Sequence, residues 1–145
     1  MKIEDNRTLV VKKIEHLAIV VSDLQRAKDF FCTYFDGVVP SPDYHNPRTG
    51  LHSCFVTFDG DTRLELMQWG NLTSHSEAVS QQSDLTFHSA FHLSMSVGSK
   101  EQVDALTARL QSDGYTVKSA PRTTGDGYYE SVIVPFDGIE VEITI

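Results

Sequence analysis

Two histidines and two glutamates in the sequence have the type and placement that metal-assisted chemistry requires. His16 and His92 each lie in a short apolar segment with a strand pattern, while Glu65 and Glu142 lie in the last such segment of each half of the chain. Successive side chains of a strand point to opposite faces. The predicted core residues occupy the alternate positions, so each half places one His and at least one Glu on the other face. Two imidazoles and two carboxylates suit a divalent transition metal.

An internal repeat provides the elements that must position these side chains. Residues 14–37 and 90–114 each combine an apolar strand pattern, a capping-box helix start and an Asp-Gly helix end. Residues 53–69 and 131–145 each contain two strand patterns joined around Asp-Gly, which is a hairpin signal. The repeat therefore predicts an α+β fold made of two tandem β-α-β-β-β modules.

The register of the repeat also selects between two candidate carboxylates. Ser99 lies 77 positions after Ser22, and both serines are predicted to cap a helix. Glu142 lies 77 positions after Glu65, whereas Glu140 would correspond to an arginine. The register favours Glu142 as the matched residue, and Glu140, on the same predicted face, stays the alternative. The glycine of each Asp-Gly pair is expected to end its helix in the left-handed conformation.

The repeat divides one predicted domain, residues 1–145, into three parts. Module one spans about 12–69, a polar linker about 70–87, and module two about 88–145. A module of roughly 55–60 residues is too small to be comfortable alone. The modules are therefore expected to pair, either within one chain or with those of a second copy.

Composition excludes several classes of function. The chain has 12 Lys and Arg against 20 Asp and Glu, a formal net charge of -8. This balance disfavours binding to nucleic acid and to anionic membranes. The first 16 residues are charged throughout and lack the apolar stretch of a secretory signal, so we expect a cytoplasmic protein without a membrane anchor. Its expected partner is a small-molecule substrate.

Four segments carry a resemblance to a known family. They read IEHLAIVVSDLQRAKDFF, RLELMQWG, AFHLSMSV and YYESVIVPFDGIEVEI, and the resemblance that they carry extends over nearly the whole chain after about residue 12. The sequence resembles the vicinal oxygen chelate superfamily. This superfamily includes glyoxalase I, methylmalonyl-CoA epimerase, extradiol dioxygenases, and the fosfomycin- and bleomycin-resistance proteins.

The resemblance implies curled mixed sheets around a metal site. Its glyoxalase-like branch implies His16, Glu65, His92 and Glu142 as ligands of Ni, Co, Zn, Mn or Fe. It further implies that Glu142 or Glu65 acts as the general base that takes a proton beside a carbonyl of a small oxygenated substrate. The expected activity is that of a lyase or isomerase. The resemblance also implies a homodimer, because relatives of this size are often dimers. Glutathione-dependent members commonly carry an arginine where this chain has Val20, which argues against a glutathione substrate.

Two other functions stay open. An extradiol-type dioxygenase uses two histidines and one glutamate, and the presence of Glu65 favours the lyase or isomerase instead. A metal-free drug-binding resistance protein is the other alternative. Three aromatic residues are candidates for a substrate pocket, although ordinary strand packing is the favoured explanation for the two tyrosines: Trp69, Tyr128 and Tyr129. The neighbouring Glu130 is expected to be solvated.

Overall fold

The computed structural model describes residues 12–70 and 91–145. All but the first residue of the predicted linker, and the first residues of predicted module two, lie outside these ranges. Module one contains β1 (His16–Val20), α1 (Leu24–Phe35), β2 (Tyr44–Asn46), β3 (Leu51–Thr57) and β4 (Arg63–Trp69). Module two contains β5 (His92–Ser96), α2 (Lys100–Ser112), β6 (Thr116–Thr123), β7 (Tyr129–Val134) and β8 (Glu140–Thr144).

Each module forms one four-stranded mixed sheet. The strand orders are β1-β4-β3-β2 and β5-β8-β7-β6, with the first pair of each sheet parallel and the others antiparallel. The predicted α+β fold of two tandem β-α-β-β-β modules is confirmed. Within the described residues the two sheets stay separate and form no closed barrel. The described residues contain the helices α1 and α2, and neither is long and apolar enough to span a membrane.

One apolar core joins the two modules on the helix side of their sheets. The buried face of α1 consists of Leu24, Ala27, Phe30 and Phe31, at the i, i+3, i+4 spacing of an amphipathic helix. The Phe30 ring meets the Phe136 ring of module two edge-on, with ring centroids 5.5 Å apart. Because α1 packs against module two as well as its own sheet, the helix fixes how the modules lie in one chain.

The start of α1 differs from the predicted capping box. Asp23 is the N-cap, and its carboxylate accepts a hydrogen bond from the Arg26 backbone N–H at 2.9 Å. The prediction of Ser22 as the cap is therefore wrong. Ser22 instead donates its backbone N–H and its hydroxyl to Asp137, at 2.9 and 2.6 Å. The predicted cap of α2 is confirmed, because Ser99 accepts from the backbone N–H three residues later.

The two helices also end differently. After α1 the left-handed residue is Asp36, with φ 54°, whereas Gly37 lies outside that region, contrary to the prediction. After α2 the left-handed residue is Gly114, as predicted, with φ 93°. Gly37 is required for a different reason: a Cβ atom there would lie 2.6 Å from Val56 Cγ1 in the core. Close packing, not backbone conformation, explains this glycine.

Candidate functional site

Module one places an imidazole and a carboxylate together on the side of its sheet opposite α1, which we call its open face. β1 and β4 are parallel neighbours with Ala18 paired to Glu65, so His16 and Glu65 lie diagonally across the two strands. His16 Nε2 lies 3.6 Å from Glu65 Oε2. The His16 side chain is 39% exposed, whereas that of Glu65 is 17% exposed. The Glu65 carboxylate is thus mostly buried on the open face, beside the more accessible His16 imidazole.

Module two repeats this arrangement on its own open face. Ser94 pairs with Glu142 in the parallel β5–β8 ladder, and His92 Nε2 lies 3.2 Å from Glu142 Oε1. The side chains of His92 and Glu142 are 52% and 19% exposed. The alternative carboxylate, Glu140, forms an ion pair with Lys118. These contacts favour Glu142 over Glu140 as the partner of the imidazole.

The four predicted ligands form two pairs in this chain. Among the side chains of residues 12–70 and 91–145, no three His, Cys, Asp or Glu groups converge to hold a metal ion. Each open face therefore presents half of the predicted donor set. The four-ligand site itself stays a prediction.

Glu130 is a further carboxylate on the open face of module two. Strand alternation in β7 buries the neighbouring Ser131 on the helix side and turns Glu130 the other way. The Glu130 side chain is 12% exposed, so the expectation that it is solvated is wrong. Burial raises the pKa of Glu130, and the nearby Glu142 raises it further, while Arg122 at 3.8 Å opposes the shift. The alternation was the signal in the sequence that could have placed it.

The three predicted pocket residues lie in different surroundings. Trp69 ends β4 on the open face of module one, four residues after Glu65, and is partly buried. Tyr128 is 60% exposed at the end of the β6–β7 hairpin. Tyr129 turns toward α2, where its hydroxyl donates to Asp104 at 2.6 Å. Trp69 therefore lies on the same face as Glu65, a predicted ligand.

A groove between the modules lies away from both pairs. It has a volume of about 800 Å³, and its lining includes Tyr34, Asp36, Leu106 and Arg109. The lining contains no histidine, cysteine or glutamate. The predicted imidazole and glutamate ligands thus lie on the open faces and not in this groove.

Comparison with known proteins gives a family match and similar folds. The sequence model of the Glyoxalase/Bleomycin resistance protein/Dioxygenase superfamily matches residues 13–143. No curated protein matches the chain. Solved structures that share its fold include a possible glyoxalase from Bacillus cereus, with a TM-score of 0.67 and 21% identity over 93% of this chain and 100% of that one.

Two similar structures belong to proteins with named activities. The trypanothione-dependent glyoxalase I of Leishmania major has a TM-score of 0.66 and 19% identity, over 92% of this chain and 86% of that one. The fosfomycin resistance protein FosX of Listeria monocytogenes, solved as a mutant with Mn(II), has a TM-score of 0.66 and 17% identity over 93% of both chains. At these identities the likeness shows a common fold.

Proposed function

The chain belongs to the Glyoxalase/Bleomycin resistance protein/Dioxygenase superfamily, and on that premise we propose that it is a divalent-metal-dependent lyase or isomerase. Its reaction would remove a proton next to a carbonyl of a small oxygenated substrate. The observation that carries this proposal is the matched imidazole–carboxylate pair on each open face. Superfamily members include metal-dependent enzymes that act on small molecules.

The donor chemistry of the two pairs fits a divalent transition metal. Imidazole nitrogen and carboxylate oxygen are ligands of Ni, Co, Zn, Mn and Fe, and two carboxylates balance the charge of a divalent cation. In both pairs the imidazole presents Nε2 to the carboxylate, so the two donors lie side by side. When bound, the cation would supply Lewis-acid polarisation of a substrate carbonyl.

The carboxylates of the pairs are the candidates for proton transfer. A general base must lie within hydrogen-bond reach of the proton that it takes. Glu65 and Glu142 lie on the open faces, where a substrate would bind, and each is more than four-fifths buried within its sheet surface. We assign the base to one of these two residues. The presence of Glu65 beside His16 favours this chemistry over that of a dioxygenase, which would need one glutamate.

We place the complete site between two copies of the chain. One chain presents two half-sites that do not converge within its described residues, and both imidazoles remain accessible. In a dimer with two-fold symmetry, each contact between module one of one chain and module two of its partner occurs twice, related by the two-fold rotation. Such a homodimer would contain two sites. Each would combine the His16–Glu65 pair of one chain with the His92–Glu142 pair of the other.

Elemental analysis of the untagged protein tests the metal assignment. We expect a near-stoichiometric content of a transition metal in the wild type, loss of the metal in His92→Ala, and retention in His45→Ala. His45 is a suitable control because it is an exposed histidine on β2, away from both pairs. A wild type that stays empty after incubation with Ni, Co, Zn, Mn and Fe would refute the proposal and favour the metal-free binding protein.

A further inference from the structure

The His16 ring is held by a closed set of side chains, here called the His16 cluster: Glu15, His16, Phe55 and Arg63. The Glu15 carboxylate accepts from His16 Nδ1 and from the Arg63 guanidinium. The guanidinium carbon lies 4.0 Å from the centroid of the Phe55 ring. Phe55 in turn meets His16 edge-on, with centroids 5.3 Å apart and an interplanar angle of 86°. Each member therefore contacts two others.

This arrangement determines which nitrogen of His16 carries the proton. An ionised carboxylate only accepts hydrogen bonds, so Nδ1 must be the donor to Glu15. The same carboxylate forms an ion pair with the Arg63 guanidinium, and this positive charge favours the ionised form of Glu15. In the neutral ring the lone pair is then on Nε2, the atom that lies 3.6 Å from Glu65. This is the tautomer in which Nε2 is free to bind a cation.

Module two lacks the counterpart of this cluster. By the register of the repeat, the positions of Glu15, Phe55 and Arg63 correspond to Phe91, Val132 and Glu140. The side chains of Phe91 and Val132 contain no hydrogen-bond acceptor, and the Glu140 carboxylate is paired with Lys118. The His92 side chain is also the more exposed of the two imidazoles.

We propose that Glu15 is a positioning residue, which together with Arg63 and Phe55 locks His16 in its Nδ1-protonated tautomer, whereas no corresponding cluster holds His92 among the residues that the structure describes. The benefit of the fixed tautomer rests on the proposed function, because an Nε2 lone pair in a fixed position can bind a metal ion. The tautomer itself is a property of the metal-free chain. Hydrogen-bonded carboxylates orient and activate histidine ligands in this way in many metal sites.

Long-range ¹H–¹⁵N correlation spectra of the metal-free protein report the tautomer of each histidine. They are recorded at a pH where the imidazoles are neutral, with His16 assigned from a His16→Ala spectrum. We expect His16 to be Nδ1-protonated in the wild type and in Glu15→Asp, and to become a mixture in Glu15→Ala. Asp61→Ala, which removes an exposed carboxylate paired with Lys13, is the matched control and should change nothing. A wild-type His16 with Nε2 protonated would overturn the proposal.

Metal titration provides the second readout. We expect Glu15→Ala to bind Zn²⁺ about 10–100-fold more weakly than the wild type, and Glu15→Asp to recover part of the loss. A tautomer change with unaltered Zn²⁺ affinity would overturn the positioning role. If the wild type binds no metal at all, the proposed function fails, while the tautomer result still decides whether Glu15 fixes His16.

Discussion

The contact between Ser22 and Asp137 should contribute measurably to stability, because it joins α1 to the β7–β8 connection of the other module. Asp137 accepts two hydrogen bonds from Ser22, at 2.9 and 2.6 Å. It also has φ 51°, in the left-handed region, and precedes Gly138 with φ 69° in a tight turn. Asp137→Ala therefore removes two bonds to a charged acceptor and places a less tolerant residue at positive φ.

The expected cost follows from these two effects. A bond to a charged group is worth about 1.5–3 kcal/mol when shielded from water, and the exposed setting lowers this to roughly 0.5–1 kcal/mol for each of the two bonds. The left-handed conformation costs alanine about 1 kcal/mol more. We expect Asp137→Ala to lower the free energy of unfolding by about 2–3 kcal/mol, which corresponds to a fall of about 1 M in the urea midpoint. Asp137→Asn, which retains an acceptor and tolerates positive φ, should lose less than half of this.

A double-mutant cycle isolates the contact from the turn. Ser22→Ala should cost about 1 kcal/mol alone, and the loss should largely disappear when Asp137 is already Ala. Asp59→Ala is the control, because Asp59 is an exposed residue of the matching Asp-Gly turn, and its effect should stay within about 0.5 kcal/mol. Additive losses from Ser22→Ala and Asp137→Ala would show that the modules do not meet in this way.

Three further changes test other parts of the structure. Gly37→Ala should lower the free energy of unfolding in urea by about 1–3 kcal/mol, because its Cβ would overlap a core methyl group. Gly125→Ala is the control and should be near neutral, because the space around Gly125 is open. Equal effects of the two substitutions would contradict the packing around Gly37. Burial raises the pKa of Cys54 from 9.0 to about 11, so the free energy of unfolding should fall by about 2–3 kcal/mol as pH rises through that interval. Cys54→Ala should flatten this slope, and an unchanged slope would assign it to other groups. Glu130→Gln should raise the melting temperature at neutral pH, because the raised pKa of Glu130 means that its ionisation opposes folding above the ordinary carboxyl pKa of 4.5. The gain should vanish at more acidic pH, and a lower melting temperature at neutral pH would refute the assigned environment.

The fold was predictable because the signals that define it are local and occur twice. Hydrophobic alternation and helical spacing identify each strand and helix, and the repeat confirms each element by a second copy. The same alternation placed His16 and His92 on the faces opposite the helices, where the structure has them. The register of the repeat likewise favoured Glu142 over Glu140, and Glu142 lies beside His92 in the structure.

The remaining features depend on contacts between distant elements, which periodicity does not report. Ser22 has the spacing of a capping residue, yet a carboxylate from the other module engages it. The role of Glu15 depends on Arg63, which is adjacent to it only through the parallel pairing of β1 and β4. The division of the four predicted ligands into two pairs depends on how the modules pack. No local pattern in the sequence carries that information.

Metal content of a mixed dimer tests most directly the claim that two copies share each site. His16→Ala and His92→Ala chains carrying different tags are co-expressed, the mixed dimer is isolated by both tags, and its metal is measured by elemental analysis. One of its sites combines both substitutions and the other has neither. We expect each variant alone to be empty and the mixed dimer to regain about half of the wild-type metal content. A mixed dimer as empty as the single variants would contradict the shared site.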